Sequence, residues 1–170
     1  VSARYLSYLL TPATVCLAVP LYQQLSLLKK HARAILAGTV TGVLTTMATV
    51  LVLALLFQLT HEQYVTFLPK SITTAIGMGV SEEMGGIVTI TVACIIITGI
   101  IGNIIAETVC RLFHITEPVA KGIAIGSASH AIGTTKAMEM GEIEGAMSSL
   151  AIAVSGLCTV LFASVFANFI

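Results

Sequence analysis

The chain has 170 residues, of which 56% are hydrophobic and only 9% charged, against about a quarter charged in an ordinary soluble domain. That is too little polar surface for a water-soluble globule, so the composition reads as an integral membrane protein. Eight basic and eight acidic residues cancel to a formal net charge of zero, and the lack of a basic footprint excludes nucleic acid as a partner.

In chain order, Val1 starts the sequence with no signal-peptide pattern, which reads as an N-terminally incomplete piece of a longer protein. The scarce charges then leave uncharged runs at 5–28, 34–60, 87–106 and 145–170. Each is long enough to span, since about 20 helical residues cover the roughly 30 Å hydrocarbon core. Pro12 and Pro20 predict a kink or break in the first run. Two more uncharged stretches, 71–81 and 122–135, are too short to cross and too rich in Gly, Ser and Thr for ordinary core helices.

These two stretches resemble each other. At an offset of 56, Ser71–Ile87 and Ser127–Ile143 share eight identities in seventeen positions, among them Ser71/Ser127, Ala75/Ala131, Ile76/Ile132, Gly77/Gly133, Glu83/Glu139 and Gly85/Gly141. Each copy precedes one apolar span, which reads as an internal duplication with copies at about 71–113 and 127–169. If each motif dips into the membrane and returns, the 87–106 span sets the copies facing opposite sides, an inverted repeat. The positive-inside rule favours that scheme. Lys29, Lys30 and Arg33 mark a cytoplasmic loop, and the re-entrant arrangement returns Arg111, Lys121 and Lys136 to the same side. The expected fold is a single all-α, multi-pass domain over 1–170, with transmembrane helices and two re-entrant or broken-helix motifs, in the plasma or inner membrane.

Non-helical backbone at membrane depth is tolerated where it is buried in protein or lines a watery cavity, so the paired motifs are the candidate site. Half-helix N-termini direct unpaired N–H groups at one point and suit a carboxylate. The expected contacts are Ser71, Thr73 and Thr74 from one copy with Ser127, Ser129, His130 and Thr134 from the other; Thr135 adds a further hydroxyl. His130, aligned with Thr74, is the one ionisable group inside either short motif. It is either a proton carrier or switchable anion donor, or a neutral ring that braces the break. Lys70 and Lys121 precede the motifs as entrance charges, although an interfacial lysine commonly snorkels into headgroups. Glu83 and Glu139 turn the chain at the interface or pair with a lysine. The Gly-x-x-x-Gly pairs Gly38/Gly42, Gly122/Gly126 and Gly141/Gly145 predict close helix packing. Cys16, Cys94, Cys110 and Cys158 lie far apart and read as small apolar fillers. No catalytic constellation stands, and no metal site or cofactor is expected: 126–130 is not G-x-S-x-G, and Gly77-x-Gly79 lacks a third glycine.

Leu10-Thr11-Pro12-Ala13-Thr14-Val15, Ala18-Val19-Pro20-Leu21-Tyr22, Leu68-Pro69-Lys70-Ser71-Ile72-Thr73-Thr74, the block Gly126 to Thr134, and Glu144 to Ala151 together resemble the LrgB/CidB family. The likeness covers essentially the whole chain. It implies additional helices before Val1 and one of two roles. The first is a secondary transporter of small monocarboxylates of the pyruvate, glycolate or glycerate type, with proton or sodium coupling. The second is an antiholin-like or holin-like protein, acting with a small LrgA/CidA-type membrane protein to control murein hydrolase activity and autolysis. Association into a homo-oligomer is expected in either case. Where the family pattern places a proline in the first motif this chain has Ala75 and Gly77, so the break is less certain there than in the second motif.

Overall fold

The computed structural model describes Tyr22 and residues 25–170, all helix, turn and connection with no strand among them. Most of the expected 5–28 span, its two prolines and the Leu10–Leu21 resemblance blocks lie outside the described residues, and its last residues, 25–28, are the start of the first helix described. Six α-helices follow in order: α1 Leu25–Leu56, α2 His61–Phe67, α3 Thr74–Glu83, α4 Val88–Leu112, α5 Pro118–Met140 and α6 Glu142–Phe166, with a 3₁₀ turn at Ala167–Phe169. Three stretches, Lys29–Leu56, Val88–Leu112 and Glu142–Phe169, are long and apolar enough to cross a membrane.

α1 starts earlier than the charge pattern suggests. Lys29, Lys30 and Arg33 lie within its first turns and not in a loop, because no glycine or proline interrupts 25–37 and exposed charges are compatible with helix. Its buried stripe, Ile35, Thr39, Val43, Met47, Val50 and Ala54, recurs at helical spacing. The far end of that stripe joins Tyr64, Val65, Leu68, Cys158 and Ala163 in the largest apolar cluster. α2 is set there by a capping box: Gln63 N–H donates to Thr60 Oγ1 at 3.4 Å and Thr60 N–H to Gln63 Oε1 at 3.0 Å. Tyr64 then donates its hydroxyl to the Phe166 carbonyl at 2.9 Å, tying α2 to the end of α6.

α5 is not a straight rod. At His130 the backbone takes φ 42° and ψ −142° inside the helix, and the chain reverses. Ile125 and Ala137 share one apolar cluster with Ala106 although twelve residues apart, a separation of about 18 Å along a straight helix. Gly122 packs on Met147, and Gly145 on Met138, so residues 122 and 138 meet α6 at the same level. Residues 118–129 therefore run in beside α6, and 131–140 run back to the turn at Gly141. This is a helical hairpin.

The first motif takes a different route to a short element. Residues 69–73 lie outside regular helix, starting at Pro69, and α3 then runs unbroken from Thr74 through Gly77 and Gly79 to Glu83. The break thus precedes Ala75 and Gly77. Gly77 serves packing instead, because a Cβ there would overlap the Ile95 side chain of α4. The turn after α3 uses Gly85 at φ 79°, a conformation that glycine adopts without strain. It is fixed by Ile87 N–H donating to Thr66 Oγ1 at 2.8 Å and Thr91 Oγ1 donating to the Thr66 carbonyl at 2.9 Å. Each copy ends in the same local form, a short outgoing arm, a glycine turn and a 25-residue helix.

Candidate functional site

The tip of the hairpin is held on one side by α4. His130 Nε2–H donates to the Ile95 carbonyl at 2.8 Å, which fixes the tautomer. A Cβ on Gly99 would lie 2.7 Å from the His130 ring, and one on Gly102 would overlap Ser129 Oγ, so these glycines make the space for the tip. Asn103 Nδ2 donates to the Ile132 carbonyl at 2.9 Å and to Thr135 Oγ1 at 2.8 Å, satisfying backbone just past the reversal. On the other side Thr134 Oγ1 donates to the His130 carbonyl at 2.8 Å. Its single proton is then used, so Ser148 Oγ–H donates to Thr134 across the 2.7 Å contact with α6. Ser129, His130 and Thr134 are thus buried and braced against helices.

Ser127 and Ser71 border a different space. They line one small enclosed space of about 10 Å³ together with Thr46 of α1 and Thr159 of α6. Both serines are at least nine-tenths buried, and they occupy equivalent places in the two motifs. Ser127 Oγ–H donates to the Ile123 carbonyl at 2.8 Å, leaving its lone pairs free. Ser71 accepts from Lys70 Nζ at 3.2 Å. On the outer side of Thr46 and Ser127 opens a groove of about 810 Å³ between α1 and α5, bounded at its far end by His31 and Glu117. Gly42 permits this approach, since a Cβ there would touch Ser127 Oγ at 3.0 Å.

The remaining expected residues stand apart. Thr73 and Thr74 are half-buried at the start of α3 and border neither space; Thr73 makes no side-chain cap. Lys121 lies in the first turn of α5. Glu139 pairs with Lys136 at 3.2 Å, and Glu107 of α4 reaches the same ammonium at 3.6 Å. The Glu139 hydrogen bond and charge, helped by Glu107, hold Lys136 above the ordinary lysine range. Of the packing glycines, Gly38 and Gly42 fit α1 to α5, and Gly122 and Gly126 fit α5 to α6. Among the described residues no group of three His, Cys, Asp or Glu side chains could hold a metal ion.

Gly99, Gly102, Asn103, Thr46, Thr159 and Ser148 were missed at the level of sequence. Asn103 was findable, as the one amide of the 87–106 span, with Gly99 and Gly102 beside it on the same helix. Nothing in sequence marks Thr46 among the many threonines of α1.

Comparison with known proteins supplies the family. Residues 1–169 match the LrgB-like family. The chain belongs to the LrgB family. Proteins called antiholin-like protein LrgB from Bacillus mycoides, Bacillus cereus and Bacillus anthracis are each 37% identical to it over 167 residues, covering 98% of this chain and 73% of theirs. No solved structure matches. The S-H-A-I-G-T block that suggested LrgB is the hairpin tip, and the E-G-A-x-S-S-L-A block is the face of α6 on which the hairpin packs.

Proposed function

We propose that this LrgB-family chain is an antiholin-like, multi-pass protein of the plasma or inner membrane that acts with a small LrgA/CidA-type membrane protein to restrain murein hydrolase activity and autolysis. The observation that carries this reading is the match to relatives named antiholin-like over 98% of the chain. The apolar outer face of α4, with Ile97, Ile100, Ile101 and Ile104 exposed, is suited to lipid and to association with a second copy or that partner. In a bacterium lacking its own LrgB homologue, expression together with the LrgA/CidA-type protein is expected to slow detergent-induced lysis followed by turbidity. An unchanged lysis rate contradicts the reading.

A second reading, secondary transport of small monocarboxylates of the pyruvate, glycolate or glycerate type with proton or sodium coupling, draws support from one feature that a purely regulatory component does not need. Ser71 and Ser127, equivalent residues of two broken segments, border one cavity beside a large groove. An inverted repeat belongs to this reading. Its support is that the first segment is anchored at Thr91 of α4 and the second hairpin ends beside Glu107, near the opposite end of the same helix. Full-length protein in liposomes is expected to accumulate pyruvate or glycerate under an imposed proton or sodium gradient; no uptake of either refutes transport. Neither reading assigns the chain a catalytic role.

A further inference from the structure

The groove between α1 and α5 is walled by small side chains. Ala34, Gly38 and Thr41 line it from α1 and Ala120, Ala124 and Ala128 from α5, all six exposed. Its floor is closed where Gly38 and Gly42 bring α1 against Ile123 and Ser127. Elsewhere α1 exposes large apolar side chains such as Leu36 and Leu44, so this is a recess in an apolar surface. The lining follows α1 from His31 to Thr46, about 22 Å of helix, within a stretch apolar enough to cross a membrane. That reach exceeds the hydrocarbon depth of one leaflet, about 15 Å. Left empty at that depth, the walls forfeit the dispersion contacts that a filling chain supplies.

One end of the groove carries unpaired cations. His31 lines that end. Lys30 stands four residues before Ala34 and three before Arg33, which makes the three neighbours on the surface of α1, and Lys29 stands four before Arg33. Lys29, Lys30 and Arg33 are exposed. None of them belongs to an ion pair among the described residues, whereas Arg111 and Lys136 do. Glu117, on the α5 wall, is the one carboxylate that lines the groove. The chain has no acidic residue before Glu62, so the segment leading into α1 brings these cations no counter-charge of its own. Basic residues clustered beside a membrane span attract anionic lipid headgroups.

We propose that the α1–α5 groove seats an acyl chain of an anionic phospholipid whose phosphate is held by Lys30 and Arg33 at the groove's basic end. Such a lipid answers both features, hydrocarbon along the small-residue walls and negative charge beside the unpaired cations, and it is independent of both functional readings. The test is lipid retention by the full-length protein purified in detergent, followed by native mass spectrometry after equal additions of phosphatidylglycerol and phosphatidylcholine with the same chains. Native protein is expected to favour phosphatidylglycerol by about fivefold or more, the scale of one cation at an anionic membrane surface. Lys30→Gln combined with Arg33→Gln is expected to abolish that preference while phosphatidylcholine is retained as before, which guards against misfolding as the cause. Glu117→Gln strengthens the preference, and Arg111→Gln leaves it unchanged. Ala124→Leu, which fills the groove, lowers retention of both lipids. Native protein that retains the two lipids equally overturns the proposal, and so does Ala124→Leu protein that retains phosphatidylglycerol at the native level. A disulfide formed by Ala124→Cys protein with Cys16, or with a second copy, places protein in the groove and also overturns it.

Discussion

His130 is one of three non-glycine residues at positive φ among those described, and the other two, Gln58 and His114, lie just beyond the ends of α1 and α4, where left-handed backbone commonly terminates helices. His130 alone lies inside a helix, and its ψ of −142° is outside the left-handed well. A residue in such a region costs about 1–3 kcal/mol and persists only where its surroundings enforce it. Here the surroundings are the Ile95 carbonyl and the spaces at Gly99 and Gly102. His130→Ala keeps the strain and loses the bond, whereas His130→Gly loses the bond and relieves the strain. The alanine variant is therefore expected to melt lower in detergent than the glycine variant, against the order found in an ordinary helix interior. An alanine variant as stable as the glycine one would show that the backbone there is not strained. The sequence singled out His130 as the one ionisable group in the short motifs, but it left open a proton role and a bracing role. The 2.8 Å bond to Ile95 is the particular that favours bracing.

Between elements, packing outweighs hydrogen bonding. Interhelical hydrogen bonds in membranes contribute about 0.6 kcal/mol each on average, while overfilling a packed contact costs about 1–3 kcal/mol. The fit of α5 to α4 is accordingly more sensitive to Gly102 than to any single polar group. Gly102→Ala, whose Cβ would overlap Ser129, is expected to lower stability by about 1–3 kcal/mol. Gly79→Ala, with nothing within 4 Å of the new Cβ, is expected to be neutral or to stabilise by up to about 1 kcal/mol. Thermal melts of both variants check this, and equal losses would contradict it. The contrast also shows what sequence could read. Gly77 and Gly79 look alike as helix-loosening glycines, yet both lie in regular helix, and only Gly77 has a neighbour that requires it. Close approach is a property of two surfaces, and one strand of sequence carries only half of it.

For the whole molecule the open question of orientation has a direct measurement. Glu83 and Glu139 are exposed equivalents at the ends of the two outgoing arms. Single cysteines replacing each, in a background without Cys16, Cys94, Cys110 and Cys158, are expected to react with impermeant thiol reagents from opposite sides of the membrane. Labelling from one side alone refutes the inverted arrangement. The sequence by itself determined the solvent, the helical class, the three described spans and the two short segments between them, because hydrophobic run length against bilayer thickness is a local quantity. It also determined the family, through the blocks around His130 and Ser148. Only the tertiary structure decided that 118–140 doubles back at His130, that the first break precedes Thr74, and that Ser71 and Ser127 border one cavity while Ser129, His130 and Thr134 turn to other helices. Those outcomes depend on which carbonyl, glycine or hydroxyl a distant helix presents, and contacts of that kind arise only when the chain is folded.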